Sequence, residues 1–182
     1  LIQIEKADKV LIVNALNQNH LDQFAQIVKQ SARNIIFRTG ASFVTSLGNI
    51  SKKPLLQKLD VADRNNQNGG LIVVGSHVPK STAQLNELLK TGITPLEFKV
   101  ETFLQDCDQY LADFSSKINT QLSEYKDIVV FTTRNLKVGL NEDESLKIST
   151  RISEGLIKLV QELRVQPRFF IAKGGITSSD LA

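Results

Sequence analysis

Short, continuously apolar runs alternate along this chain with longer stretches of helical period. That alternation restricts the fold more than any other feature. KVLIVNA (Lys9–Ala15), NIIFRTG (34–40), GLIVVGS (70–76), PLEFKV (95–100), DIVVFTTR (127–134) and PRFFIAKGG (167–175) read as strands. Between them lie amphipathic helices. LDQFAQIVKQS places Leu21, Phe24, Ile27 and Val28 on one face, with Asn19 as the expected N-cap. ASFVTSLGNI is a short helix ending at Gly48, and STAQLNELLKTG stops at Gly92. Thr102–Tyr125 reads as one long helix. ESLKISTRISEGLIKLVQEL aligns Ile148, Ile152, Leu156, Leu159 and Leu163, behind an acidic start that suits the helix dipole. Strands alternating with helices of this length form parallel crossover units. Strands that are apolar throughout, rather than at every second residue, fit burial on both faces. The expected fold is α/β, a parallel sheet with helices on both faces in three layers.

A chain of 182 residues holds one domain, or one domain and a piece of another. From Ser51 to Gly70 the texture changes to KKP and DRNNQNGG, which marks 51–69 as a linker between segments 1–50 and 70–182. Apolar residues at 41% support a substantial core. The net charge of +3 is scattered, with no basic run interleaved with aromatics, so nucleic acid is not an expected partner. The single Cys107 excludes an internal disulfide and suits a reducing compartment, so a cytoplasmic location is expected. No apolar stretch approaches a membrane span, and LIQIEKADK lacks a signal pattern. The chain contains no Met, which makes a fragment of a longer protein the simplest expectation; a mature chain starting at Leu1 is the other. Exposed elements of a cut domain often pair, so a homodimer is among the expected assemblies.

Ligands of open parallel sheets bind beyond the carboxyl ends of the strands. Three such ends share a chemistry here: Gly75, Ser76 and His77; Thr132, Thr133 and Arg134; and Lys173, Gly174, Gly175, Ile176, Thr177, Ser178 and Ser179. Glycine lets a phosphate approach the backbone, a helix start offers N–H groups, hydroxyls donate in adjustable directions, and a cation adds charge. Any one of these ends alone also reads as ordinary turn punctuation and capping. Their coincidence points to a phosphate site. His77 could touch a ligand, whereas His20 reads as a helix-start residue. With one cysteine and two distant histidines, no metal site is expected. Cys107 reads as packing or surface, Glu142, Asp143 and Glu144 as a solvated helix start, and Arg151 as exposed.

LIVVGSHVPKSTAQLNELL (71–89), GLNEDESLKISTRISEGLIKLVQEL (139–163) and RFFIAKGGITSSDLA (168–182) together resemble the four-carbon acid sugar kinases. Gly75, Ser76, Thr82 and Gln84 carry part of the likeness, and KGGITSSD carries the more specific part. The resemblance implies an ATP-dependent kinase, working with Mg²⁺, that phosphorylates a hydroxyl of a small sugar acid such as 3-oxo-tetronate, threonate or erythronate. It implies that 70–182 is the nucleotide-binding domain, cut short at its C-terminus. Residues 1–50, with RTGASFV, then form the end of the sugar-acid domain. Ser76 would contact the nucleotide, and Gly174, Gly175, Ile176 and Thr177 would form the phosphate-binding turn. Lys173 or Arg134 would add charge. The family's acidic DDxTG motif and its later glycine-rich stretch are absent, so no catalytic residue is assigned within the chain, and the chain alone is expected to be inactive. A non-catalytic domain sensing a phosphorylated metabolite is the alternative function, and a purely structural α/β domain is a third reading.

Overall fold

A computed structural model describes Ile4, residues 10–51 and residues 53–181, apart from the side chains of Lys58, Leu59, Ile176, Thr177 and Asp180. The chain divides into two compact units, Leu1–Leu55 and Leu56–Ala182.

In the second unit the apolar runs form strands β1 (Leu71–Val74), β2 (Thr94–Phe98), β3 (Ile128–Thr132) and β4 (Phe170–Lys173). All pair in parallel, in the order β2-β3-β1-β4, with Leu71 opposite Ile128 and Phe170, and Thr94 opposite Ile128. Alternate side chains of a strand leave opposite faces of the sheet. Leu71, Val73, Ile128 and Val130 therefore meet helices α5 (Val100–Gln105), α6 (Cys107–Ser123) and α7 (Glu142–Gln161) through Phe103, Leu111, Phe114, Ile118, Leu156 and Leu159. Val74 and Val129 meet α4 (Pro79–Leu89) through Leu85. Both faces are covered, which gives the three-layer α/β arrangement expected from the apolar runs. A last helix, α8 (Gly175–Leu181), follows β4 directly.

The expected single helix over Thr102–Tyr125 is two helices. Asp106 leaves the helical conformation at φ −141°, ψ 90°, and its carboxylate caps α6 by accepting the Gln109 amide at 3.3 Å. The Ser51–Gly70 stretch contains the one-turn helix α3 (Lys58–Val61), and side-chain and backbone hydrogen bonds tie its end into the second unit. Asn66 and Asn68 both donate from Nδ2 to the Gln166 carbonyl at 2.9 Å, and the Gly69 amide reaches Leu122 O at 2.8 Å.

In the first unit α1 (Gln18–Lys29) packs on α2 (Ala41–Leu47) through Ala25, Val28 and Phe43, with the Phe24 and Phe43 rings 5.5 Å apart. The α1 cap is Asn17, not Asn19: its side chain accepts the His20 amide at 3.1 Å. The strands expected at KVLIVNA and NIIFRTG are not formed; Lys9 lies outside the described residues, and 10–15 and 34–39 have no strand pairing. A continuous apolar run encodes the tendency to be buried, but a strand also needs a neighbouring backbone to bond. Val10, Ile12 and Ile36 are accordingly 91%, 82% and 99% exposed.

Candidate functional site: the carboxyl edge of the sheet

The helix after β1 covers one face of the sheet and the helix after β3 covers the other. The two chains part above neighbouring strands, and such a switch point opens a crevice at the carboxyl edge. A cavity of about 340 Å³ lies there, at the lower end of the size of small-ligand sites, about 300–1,000 Å³. Its walls bring together Gly75, Ser76 and His77 after β1, Asn135, Leu136 and Lys137 after β3, and Gly174 and Gly175 after β4. Val100 and the α7 residues Ser149, Ile152, Ser153 and Leu156 close the side.

Ser76, Gly174 and Gly175, singled out from sequence, thus share one cavity. The two glycines differ. Gly174 holds φ +131°, a conformation that side-chain-bearing residues rarely adopt. Gly175 is conformationally ordinary, and a Cβ built on it would meet nothing within 4 Å. It is bare where the cavity opens. Ile176 and Thr177 continue into α8, and the expected phosphate contact of the Thr177 hydroxyl lies outside the described side chains.

The second strand end points elsewhere. Thr132 is fully buried, and its Oγ1 donates to Gly75 O at 3.4 Å while accepting from Arg134 Nη2 at 2.7 Å. Thr133 Oγ1 accepts the Val100 amide at 3.3 Å. Arg134 spends its guanidinium on the protein: Nε donates to Thr132 O and Nη1 to Ser76 O, both at 2.8 Å, and Nη2 reaches Val74 O at 3.3 Å. Burial pulls the Arg134 pKa down from its ordinary value, and the Glu97 carboxylate works in the opposite direction. His77 Nε2 lies 2.9 Å from Thr133 O. A carbonyl only accepts, so this contact places the ring proton on Nε2.

Sequence reading missed Lys137, Asn135 and the α7 wall. Lys137 lines the cavity while pairing with Glu101 at 2.8 Å, and Lys173 is not among the lining residues. The only sequence signal for the α7 wall is faint: Ser149 and Ser153, one helical turn apart beside Ile152 and Leu156. No Asp or Glu appears among the described lining residues.

A family described as "Nucleotide-binding C-terminal domain" matches residues 71–182. The chain belongs to that family. It therefore carries a nucleotide-binding domain of the kind found in four-carbon acid sugar kinases. Neither a curated protein nor a solved structure matches the chain. The matched region runs from the first residue of β1 through α8, so every wall of the cavity belongs to the nucleotide-binding domain. Among the described residues no helix is long and apolar enough to cross a membrane.

Proposed function

We propose that this chain supplies the nucleotide-binding part of an ATP-dependent kinase acting on a hydroxyl of a four-carbon sugar acid, of the 3-oxo-tetronate, threonate or erythronate type. The observation that carries the proposal is the cavity wall. It joins three strand ends, has two glycines at its mouth and contains no carboxylate among its described lining residues. A polyanion meets bare backbone and hydroxyl there instead of like charge. Ser76 would hydrogen-bond the nucleotide. Gly174 and Gly175 would admit the phosphates, with Ile176 and Thr177 completing the turn. Val100, Ile152 and Leu156 would offer an apolar surface to the base.

The reaction is transfer of the ATP γ-phosphoryl group. The acceptor oxygen bonds to the γ-phosphorus as the bond from that phosphorus to the bridging oxygen breaks, ADP departs, and the acceptor hydroxyl passes its proton to a base. We place that base and the sugar-acid site in the partner domain of the whole protein, to which residues 1–50 would contribute. Mg²⁺ normally rests on one or two carboxylates besides the phosphates. The described lining residues supply none, and the described residues contain no cluster of His, Cys, Asp or Glu able to hold an ion. These residues do not fit a protein-held Mg²⁺ site.

Calorimetric titration of ATP into the chain, beside a Gly175→Asp variant, tests the nucleotide reading. A carboxylate at the open Cβ position of Gly175 should abolish binding and leave the melting temperature in place. Binding that survives the substitution moves the phosphates away from this turn, and the absence of any binding to the folded wild type overturns the reading. ADP release with each sugar acid, measured on the whole protein, then tests the substrate class.

A further inference from the structure

Arg134 is a half-buried cation bonded to the Ser76 carbonyl of the cavity wall, yet it does not stand open as an anion clamp. Of its five N–H donors, bonds to Thr132 O, Ser76 O, Val74 O and Thr132 Oγ1 engage four. Among the described residues no carboxylate hydrogen-bonds it. Of the three carbonyls it holds, Thr132 O ends β3, and the other two lie where β1 ends and turns. Two of them, from Val74 and Ser76, bracket Gly75, and Thr132 Oγ1 reaches the Gly75 carbonyl between them. One planar fork thus holds the two peptides that flank Gly75, and Thr132 Oγ1 holds the carbonyl between them.

Peptide geometry extends the consequence. All described peptide bonds are trans, so each C=O points opposite to the following N–H. With Val74 O on the guanidinium, the Gly75 N–H points away and finds Lys173 O at 3.3 Å. With Ser76 O on the guanidinium, the His77 N–H is likewise turned away from Arg134. Among the described residues it donates to no acceptor, and His77 lines the cavity.

We propose that Arg134 is a positioning residue that presets the Gly75–His77 turn, and with it the His77 amide, as a hydrogen-bond donor to an oxygen of the nucleotide phosphates. It acts through the Val74 and Ser76 carbonyls rather than by touching phosphate. This rests on the nucleotide reading above for the identity of the ligand, but not for the hold on the turn. A lysine keeps the charge and loses the fork, because a single ammonium cannot serve carbonyls from two strand ends in fixed directions.

The test compares wild type, Arg134→Lys and Arg134→Ala by residue-resolved amide exchange without ligand and by ATP titration. In both variants the Gly75 amide should exchange about tenfold faster or more, with the interior β3 amides of Val129 and Val130 unchanged. ATP affinity should fall by at least about tenfold in both, lysine rescuing little. In wild type the His77 amide resonance should move on ATP addition. Unchanged Gly75 exchange in the variants overturns the hold, and full rescue by lysine assigns Arg134 to charge alone and overturns the positioning role. If the alanine variant fails to fold, the lysine variant carries both comparisons. A wild type that binds no ATP sinks the nucleotide reading, while the exchange data still decide whether Arg134 holds the turn.

Discussion

Asp127 and Arg168 meet at the amino edge of the sheet, where Arg168 Nη2 faces both carboxylate oxygens at 2.9 and 3.0 Å. The same Oδ1 accepts the Gly70 amide at 2.7 Å, so one side chain ties the entry of β1 to the entry of β4. The pair is about 40% exposed, and the ion pair itself is worth little at that exposure. Most of the effect lies in the Gly70 amide. Asp127→Ala should destabilise by about 1–2 kcal/mol, and Asp127→Asn by less than half of that because the amide oxygen still accepts. Urea unfolding of the two variants checks the order.

Gly155 in α7 lies where a Cβ would run into the Phe103 ring. Alanine would improve helix propensity by about 1 kcal/mol, but Phe103 is buried against Phe98, ring centroids 5.0 Å apart, and has no room to retreat. Overpacking should win, and Gly155→Ala should lose about 1–2 kcal/mol net. Phe103→Leu added to that variant should recover part of the loss, which a double-mutant cycle would show.

The paired glycines of the cavity should respond in opposite ways. Gly174→Ala forces a side-chain-bearing residue to φ +131°, at a cost of about 1–3 kcal/mol in thermal unfolding. Gly175→Ala meets no atom within 4 Å and should leave the melting temperature unchanged. If the cavity holds a nucleotide, the Gly175 methyl should weaken ATP binding severalfold all the same.

Tyr110 predicts an alkaline limb in the stability profile. Burial raises its phenol pKa above the ordinary 10.0, with the Lys99 amide hydrogen bond opposing and the Glu97 charge adding to the rise. The folded state therefore keeps the proton longer than the unfolded chain. That contribution is full below pH 10 and is lost as pH climbs through the raised value. Tyr110→Phe should flatten this part of the decline in chemical denaturation between neutral and strongly alkaline pH, relative to wild type.

Glu101 pairs with Lys137 at the cavity rim, both largely exposed. Glu101→Gln should hardly move stability but should release the ammonium and remove a repelling carboxylate. ATP affinity should rise a few fold at low salt, and the gain should shrink toward about 0.15 M ionic strength. An affinity gain insensitive to salt would contradict this assignment.

How much of this was legible in the residues depends on what each element needs. Leu71–Val74 and Ile128–Thr132 are apolar on both sides of the pleat because helices cover both faces, and the sequence carries that directly. Gly174 and Gly175 stood out only because three strand ends shared small, hydroxylated or cationic residues, since glycine at one strand end is ordinary turn punctuation. The break at Asp106 was hidden: Phe103, Leu104, Cys107 and Tyr110 keep helical spacing across it, and only the capping carboxylate betrays the restart. Residues 10–15 and 34–39 misled for the complementary reason, since apolar character reports burial and not the backbone partner that makes a strand. The α7 wall and Lys137 enter the cavity through tertiary placement, which no local spacing records. Lys173 or Arg134 had been expected to lend charge to a phosphate; that Arg134 also bonds the Val74 and Ser76 carbonyls at the end of β1 could be known only once β1 and β3 were neighbours.

β4 is an edge strand. Among the described residues its strand partner is β1 alone, and its residues remain partly exposed, while β1 is flanked on both sides. The Gly174–Gly175 turn therefore hangs from an edge strand of the sheet, and the Gly75–Ser76 turn from one of its two interior strands. A ligand that spans the two turns acts as a rivet through the sheet's margin. Occupancy and closure of that margin then become a single equilibrium. The site would report its ligand as a tightening of β4 and α8, with the centre of the sheet unmoved.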